Sequence, residues 1–282
     1  MSVRRPITRW HGGKWHLAPW IISAMPAHRT YVEPFGGGAS VLMRKQPAER
    51  EILSDLDPLA VDLYRVLADR ELSRELAFRC WLTPYRRSVF RDLSWYATDA
   101  DPVRRAMGVV ARGTMSFSSS TRSGYRDPRQ RSDRSTTPAS DWYSYRHAVP
   151  AFHRRLRDVE ILCEPAVDVV RKYDAADTLH YVDPPYVHAT RSDATHAYAH
   201  EMSDEDHLAL LSFLSSLAGM VILSGYPSPL YDDALPGWLR LTRRALDNGA
   251  TWRTEALWLN PAAAERSPLF AQGELFREEI AA

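Results

Sequence analysis

The sequence predicts an α/β protein, with a Rossmann-like, doubly wound sheet, helices on both faces, and an inserted domain that is mostly helical with a hairpin. Three observations lead to this prediction. Short apolar runs alternate with segments of helical periodicity towards both ends of the chain, the pattern of parallel strands joined by helices. Several of these runs end in an acid beside a glycine or proline. Between them lies a long stretch where the periodicity weakens and arginine dominates.

Composition limits the class of protein. The 282 residues are 45% hydrophobic and 25% charged, as expected for a folded domain rather than a disordered chain. No apolar run is long enough to cross a bilayer, and residues 1–6 are not followed by the apolar segment of a secretory signal. Two cysteines, Cys80 and Cys163, exclude a disulfide framework, and we expect both in the core. A cytoplasmic protein without a membrane partner is expected.

The first motif is Trp10-His11-Gly12-Gly13-Lys14. Paired glycines let the backbone approach a ligand closely, and Lys14 offers a positive charge to a carboxylate or phosphate. A plain turn before a helix over residues 17–25 would explain the same letters. The motif is therefore weak when it is considered alone.

A strand over residues 30–35, a glycine turn over 36–40 and a helix from Val41 form the next unit. Strand, glycine turn and helix are typical of nucleotide-type binding, since glycines leave room for a cofactor against the backbone. A second strand, 51–55, ends in Asp55, whose carboxylate can accept hydrogen bonds from a ribose. The dinucleotide pattern Gly-x-Gly-x-x-Gly is absent, so S-adenosylmethionine, which has an adenosine end and no pyrophosphate, is the candidate cofactor.

Residues 62–150 are predicted to be an insert that recognises DNA, between catalytic segments 1–61 and 151–282. Residues 101–157 contain twelve Arg, no Lys and four Asp, a charge of +8, which leaves −7 for the rest of a chain whose total is +1. Such a basic segment, interleaved with small hydroxyls and aromatics, suits phosphate contacts and base readout. A solvated, flexible loop is the alternative. The candidates for DNA contact are Arg112, Ser118, Arg122, Tyr125 and Arg126.

The sheet resumes after the insert. A strand from Val159 ends at Glu164-Pro165, a helix covers 166–173, and a buried strand over 178–183 leads into Asp183-Pro184-Pro185-Tyr186. The two prolines must end the strand, which holds Asp183 and Tyr186 at its carboxyl end, where open α/β sheets bind ligands. An ordinary Asp-Pro-Pro loop is the alternative.

The remainder of the chain closes the sheet. Residues 187–202 are assigned to a mobile lid, and His188, His196 and His200 do not have the spacing of a metal-ligand set, so no metal is expected. Ser203 caps a helix to about residue 218, and a strand follows over 219–223. Residues 239–243 and 254–259 are predicted to pair in antiparallel fashion. The tail from 261 to 282 is expected to be loosely held.

Taken together, three blocks resemble the Dam-type adenine-N6 DNA methyltransferases, a family with many phage-encoded members. The blocks are 10–14, 33–39 and 183–186, and they occur in the family's order over nearly the whole chain. Two positions depart from the family's pattern. Ala39 stands where the glycine turn usually ends in glycine, and His11 replaces a common alanine.

The resemblance implies a site and a reaction. Asp55 would hold the cofactor's ribose, and Glu164 and Pro165 would flank its adenine. Tyr186 would stack on a target adenine that has left the duplex, while Asp183 and the Pro184 carbonyl accept hydrogen bonds from its exocyclic amine. The implied cofactor contacts are Trp10, Gly12, Gly13, Lys14, Glu33, Phe35, Gly36, Gly37, Gly38, Asp55, Glu164, Pro165 and Asp183, and the implied catalytic residues are Asp183, Pro184, Pro185 and Tyr186.

Two other functions remain open from the sequence. The chain could methylate another amine, such as cytosine N4, an RNA adenine or a protein amide, or it could be an inactive relative that only binds DNA. The basic insert favours a nucleic acid, and the intact Asp183 and Tyr186 oppose decay of the site. The expected partner is double-stranded DNA, and the expected state is a monomer.

Overall fold

A computed structural model describes residues 3–117, 124–129, 136–187, 201–246 and 252–271. The chain forms two compact units. The first comprises Met1–Trp15, Gly37–Met43 and Asp57–Cys163, and the second comprises His16–Gly36, Arg44–Leu56 and Glu164–Ala282. The predicted assignment of residues 62–150 to target recognition concerns function and stays a prediction.

The helices and strands follow one another along the chain largely as predicted. From the start of the chain to residue 163, the elements of both units are α1 (Ala18–Ser23), β1 (Thr30–Glu33), α2 (Ser40–Arg44), β2 (Arg50–Ser54), α3 (Pro58–Ala68), α4 (Arg70–Leu82), α5 (Arg87–Arg91), a 3-10 helix (Asp92–Thr98), α6 (Pro102–Met115), α7 (Pro138–Leu156) and β3 (Glu160–Leu162). The elements that follow are α8 (Ala166–Tyr173), β4 (Thr178–Val182), α9 (Asp204–Ser215), β5 (Met220–Gly225), α10 (Pro229–Ala234), β6 (Leu239–Leu246), β7 (Trp252–Leu259), α11 (Pro261–Arg266) and α12 (Pro268–Ala271).

The second unit is built on a sheet that is mostly parallel. Its strands lie in the order β2-β1-β4-β5-β7-β6. Strands β2, β1, β4 and β5 are parallel to one another, and β7 is antiparallel to both β5 and β6. This arrangement confirms the predicted α/β class and the antiparallel closure.

The strand order reverses between β1 and β4. From β1 the chain passes outwards to β2, whereas β4 leads to β5 on the opposite side. The crevice beyond the carboxyl ends of two such strands is where open α/β sheets bind ligands. Glu33 is the last residue of β1, and Asp183 follows the last residue of β4. The fold thus brings two of the predicted site residues to its topological switch point.

An apolar core supports this sheet. Residues from β4, β5 and β7 pack with α8, α9 and α10, and the members are Val170, Val182, Val187, Leu210, Leu211, Leu214, Val221, Leu223, Tyr231, Leu235, Ala256 and Trp258. Strands β4 and β5 are buried at every residue, as expected for central parallel strands. Ser203 begins α9 with the predicted cap, since its hydroxyl accepts a hydrogen bond from the backbone N–H of Asp206.

The first unit is a set of packed helices. Helix α4 packs against α6 and α7, and α3 packs against the same two helices. The stretch that sequence periodicity left irregular therefore contains two long helices. Their starts are marked by Asp101 and Thr137, whose side chains cap α6 and α7. Among the described residues, no helix is both long and apolar enough to span a membrane.

Two structural predictions are wrong. Cys80 is buried, but Cys163 is exposed. Residues 261–271 of the supposed tail form α11 and α12, because Asn260 caps α11 through the Ala263 N–H. The hydroxyl of Ser267 then donates to the Ala24 carbonyl at 2.9 Å. The rest of the tail, 272–282, and the predicted lid histidines at 188, 196 and 200 lie outside the described residues.

Candidate active site

Carboxylates follow the ends of three neighbouring parallel strands. Glu33 ends β1, Asp55 follows β2 and Asp183 follows β4. Glu33 is buried, whereas Asp55 and Asp183 are half-buried. The acids affect the pKa of the buried Tyr181 on β4. Burial raises the pKa of its phenol well above the usual value, and Asp183, Glu33 and Glu255 raise it further because they oppose a second negative charge.

The position of the Glu33 side chain is fixed by a hydrogen bond from Tyr31. Tyr31, two residues earlier on the same face of β1, donates its hydroxyl to Glu33 Oε2 at 2.7 Å. The Lys45 ammonium lies 4.4 Å from the centre of the Tyr31 ring and 2.6 Å from Glu51 Oε1. All four side chains are buried. A buried polar network with these partners holds its members in one arrangement.

The end of β2 connects other predicted cofactor residues. The Gly36 N–H donates to the Ser54 carbonyl at 2.8 Å. The Ser54 hydroxyl donates to the Glu164 carbonyl at 3.2 Å. Asp55 is the next residue, so Gly36, Asp55 and Glu164 are held by one serine. Pro165 is exposed at the start of α8, and Phe35 packs against the apolar core.

The Asp-Pro-Pro-Tyr turn is fixed by its last residue. The Tyr186 hydroxyl donates to Glu255 Oε2 at 2.8 Å and lies 3.4 Å from Ser224 Oγ. Its ring meets Tyr226 edge-on, with 4.6 Å between the ring centres. Burial, with Asp183 and Glu255 nearby, raises the pKa of the Tyr186 phenol well above its usual value. Tyr186 is therefore neutral, and its hydroxyl donates a hydrogen bond to the Glu255 carboxylate.

The two prolines of this turn, Pro184 and Pro185, are buried and half-buried. A cavity of about 490 Å³ adjoins the turn, and its lining includes Val187, Tyr226 and Arg253.

Among the described residues, no group of three or more His, Cys, Asp or Glu side chains could hold a metal ion.

The N-terminal motif and the glycine turn meet in the first unit. Gly12 has a φ of 68° and Gly37 a φ of 48°, conformations that favour glycine. A methyl group on Gly37 would lie 2.9 Å from Trp10 Nε1, and one on Gly38 would lie 3.1 Å from Trp10 Cβ. These glycines thus give the Trp10 side chain its place against the turn. The buried Lys14 donates to the Gly12 carbonyl at 2.8 Å, and Gly13 is exposed.

The DNA candidates lie at the end of α6 and just after it. Ser116 and Tyr125 form an antiparallel bridge, and the Arg126 N–H donates to the Met115 carbonyl at 2.7 Å. Arg112, in the last turn of α6, is half-buried, and desolvation lowers the pKa of its guanidinium. Ser118 and Arg122 lie outside the described residues.

Aromatic and cationic groups surround Tyr125. Its ring centre lies 5.6 Å from that of Tyr85 and 5.7 Å from that of Phe90, and the Arg87 guanidinium lies 5.0 Å away. Elsewhere in the basic segment the charge is partly neutralised, since Arg104 pairs with Asp99 and Arg105 with Asp62. The net charge of a segment therefore overstates the charge that it offers to a phosphate backbone.

Sequence reasoning did not identify three residues that support the predicted site. Tyr31 and Glu255 hydrogen-bond to other members of the site, and Arg9 donates to the carbonyls of Ser116 and Phe117 at 3.5 and 3.3 Å. For Glu255 a signal was present, namely an acid directly before the apolar run 256–259 of a strand. Nothing local pointed to Arg9, whose partners are more than a hundred residues away.

Comparisons with known proteins agree with this geometry. The model of the family described as "D12 class N6 adenine-specific DNA methyltransferase" matches residues 10–103 and 115–235, more than half of the chain. The chain is 26% identical over 268 residues to a DNA adenine methylase of Salmonella typhi, covering 89% of this chain and 92% of that one.

Two further relatives are similarly distant. A DNA adenine methylase of Escherichia coli (strain K12) is 25% identical over 219 residues, 74% of this chain and 76% of that one. The type II methyltransferase M1.LlaDCHI of Lactococcus lactis subsp. cremoris is 25% identical over 255 residues, 81% and 84% of the two chains. The switch-point carboxylates, the Asp-Pro-Pro-Tyr turn and the family match lead to one conclusion: the chain belongs to the D12 class of N6 adenine-specific DNA methyltransferases.

Proposed function

We propose that the protein transfers a methyl group from S-adenosylmethionine to N6 of an adenine flipped out of double-stranded DNA. The observation that supports this most directly is the position of Asp183. It stands immediately after β4, beside the end of β1, where the strand order of the sheet reverses. An acceptor held there on a proline-stiffened turn can orient an amine beside a cofactor.

The side chains at the strand ends suit S-adenosylmethionine. That cofactor carries a ribose diol, an ammonium group and a positively charged sulfonium, all of which match carboxylates. Asp55 is assigned to the ribose, Glu33 and Asp183 lie next to the switch point, and Glu164 and Pro165 are assigned to the adenine. By resemblance, Trp10 and Lys14 also belong to the cofactor site, together with Phe35 and the glycines at 12, 13, 36, 37 and 38.

When bound, S-adenosylmethionine supplies the methyl group. Extruding the adenine costs a few kcal/mol of unstacking, which stacking on the Tyr186 ring offsets. Asp183 and the Pro184 carbonyl each accept a hydrogen bond from the exocyclic amine, so its lone pair points out of the ring plane. That lone pair is delocalised in free adenine, and positioning therefore accounts for much of the catalysis. As positive charge develops on N6, the Asp183 carboxylate stabilises it. Pro185 keeps the turn rigid.

DNA contacts are assigned to the end of α6 and the segment after it. Arg112, Tyr125 and Arg126 are the candidates among the described residues, and Ser118 and Arg122 complete the set. We propose that the protein acts as a monomer in the cytoplasm of a bacterial or phage-infected cell, where the DNA substrate is. The similarity to a type II methyltransferase is compatible with a place in a restriction-modification pair.

The test is methyl transfer from tritiated cofactor to plasmid DNA, followed by digestion to nucleosides. We expect the label in N6-methyladenosine. Asp183→Ala should abolish transfer while calorimetry still detects cofactor binding. The control is Asp233→Ala, which removes an exposed carboxylate on α10 and should keep wild-type turnover.

Two results would contradict the proposal. Label in N4-methylcytosine, or only in RNA or protein, would assign the chain to a different amine. Near-normal turnover by Asp183→Ala would remove the role given to that carboxylate. If the label is in N6-methyladenosine, single-molecule sequencing of DNA from cells expressing the protein would identify the methylated motif.

A further inference from the structure

We infer that Glu255 is a positioning residue of the transferase, acting through the hydroxyl of Tyr186. This inference rests on the proposed function, in which the Tyr186 ring stacks on the target base. Glu255 lies on β7 and is 69 residues away in sequence from the tyrosine that it contacts. Nothing in the Asp-Pro-Pro-Tyr block itself indicates a need for this residue.

The contact has the properties of a strong hydrogen bond. The Tyr186 hydroxyl and Glu255 Oε2 are 2.8 Å apart, and both residues are buried, with 6% and 8% of their surfaces exposed. A phenol that donates to a carboxylate forms a charge-assisted bond, which is about twice as strong as a neutral one. Little water is available to compete for it. A carboxylate at a buried strand position also needs a reason to be retained, since an apolar residue would be easier to bury.

The bond adds a restraint at the hydroxyl end of the Tyr186 ring. Tyr186 follows two prolines, and its ring meets Tyr226 edge-on at 74°. The edge contact restrains one side of the ring, and the bond to Glu255 fixes its far end. Ser224, on β5, lies close to the same hydroxyl. Strands β5 and β7 therefore hold the ring in one orientation before a base arrives.

A fixed ring has two consequences for the reaction. It lets the target adenine stack without ordering the tyrosine at the same time, and misplacement by about 1 Å can cost on the order of 100-fold in rate. Donation to a carboxylate also increases the electron density of the ring. An electron-rich face attracts the positive charge that develops on the exocyclic nitrogen. Glu255 would thus act on turnover more than on cofactor affinity.

The test is a double-mutant cycle with four proteins: wild type, Tyr186→Phe, Glu255→Ala and the double variant. Phenylalanine keeps the ring and removes only the hydroxyl. We expect each single change to lower kcat by about 10- to 100-fold, with the KM for S-adenosylmethionine changed less than about threefold. The double variant should be within about threefold of the slower single variant, because both changes remove the same bond. Glu255→Gln, which keeps an acceptor oxygen, should recover part of the loss.

The control is Glu265→Gln, which changes an exposed carboxylate on α11 and should leave kcat unaltered. Urea unfolding of every variant separates lost turnover from lost folding. The inference is overturned if the two single effects multiply in the double variant, or if Glu255→Ala lowers activity only as far as it lowers the folded fraction. If the wild type methylates a position other than adenine N6, the proposed function fails, yet the cycle on that product still decides the role of Glu255.

Discussion

A single methyl group added at Gly113 should destabilise the protein, although it is added in a helix. Gly113 lies in the last turn of α6, where its neighbours are Thr8 and Arg9 of the N-terminal segment. A Cβ there would lie 2.2 Å from Thr8 Oγ1, 2.9 Å from the Arg9 carbonyl oxygen and 3.3 Å from the Arg9 nitrogen. Favourable contacts between such atoms begin at about 3.5 Å. The helix can approach the N-terminal segment this closely at Gly113 because this position has no side chain.

The size of the effect follows from two opposing contributions. Replacing glycine by alanine inside a helix stabilises by about 1 kcal/mol. Overpacking costs about 1–3 kcal/mol, and the upper end applies here because Thr8 is buried and the Arg9 atoms belong to the backbone. The net expectation is a loss of about 2 kcal/mol in the free energy of unfolding.

The assay is urea unfolding of Gly113→Ala followed by circular dichroism. The matched control is Gly124→Ala, since a Cβ at Gly124 would meet nothing within 4 Å and should change stability by less than about 0.5 kcal/mol. Because Thr8 and Arg9 directly precede Trp10, we also expect weaker binding of S-adenosylmethionine in calorimetry for Gly113→Ala alone. If Gly113→Ala is as stable as Gly124→Ala and binds the cofactor normally, the contact is looser than these distances imply.

Three other changes test separate parts of the fold. Ala39 has a φ of 48°, which costs an L residue about 1–2 kcal/mol, so Ala39→Gly should raise the unfolding free energy by up to about 1 kcal/mol; a loss in urea unfolding would contradict the strain. Burial lowers the pKa of His180 to about 4, below the unfolded value of about 6.5. The unfolded state therefore takes up the proton first, and stability should fall as the pH drops from about 6.5 to 4; His180→Gln should flatten that slope, and an unchanged slope would exclude His180 as its source. Asn260 accepts from the N–H groups of Val221 and Ala263 and donates to the Gly219 carbonyl, so Asn260→Ala should cost about 2–4 kcal/mol; a loss under 1 kcal/mol would mean that water replaces these bonds.

The parallel strands and their acids could be predicted because each signal is local. An apolar run, an acid and a proline or glycine lie within ten residues of one another, as in the approach to Asp183. The cap of α9 was equally predictable, since Ser203 directly precedes the helix that it begins. Such features follow from backbone preferences and need no knowledge of the tertiary structure.

Features held by distant partners were not predictable in this way. Helix α11 contains small residues without a strong apolar period, and it is fixed by Asn260 and by the bond from Ser267 to Ala24, 243 residues away. The converse case is Phe78, an apolar residue of α4 whose side chain is 55% exposed. In both cases tertiary contacts decide whether the segment is ordered or the side chain is buried, and a local sequence pattern does not reveal those contacts.

Glu255 illustrates the difference between what the local sequence predicts and what the tertiary structure decides. The sequence predicts that residues 254–259 form a strand, but only the register of that strand brings Glu255 to Tyr186. Ser224 pairs with Leu257, and Gly225 pairs with Ala256. Side chains alternate between the faces of a strand, so a slip of one residue would turn Glu255 to the opposite face of the sheet. The acids at the ends of the parallel strands are specified by the local chain, whereas the acid that hydrogen-bonds to Tyr186 is specified by the pairing of β7 with β5. A disturbance of that pairing should therefore reduce turnover even when every residue of the Asp-Pro-Pro-Tyr turn is intact.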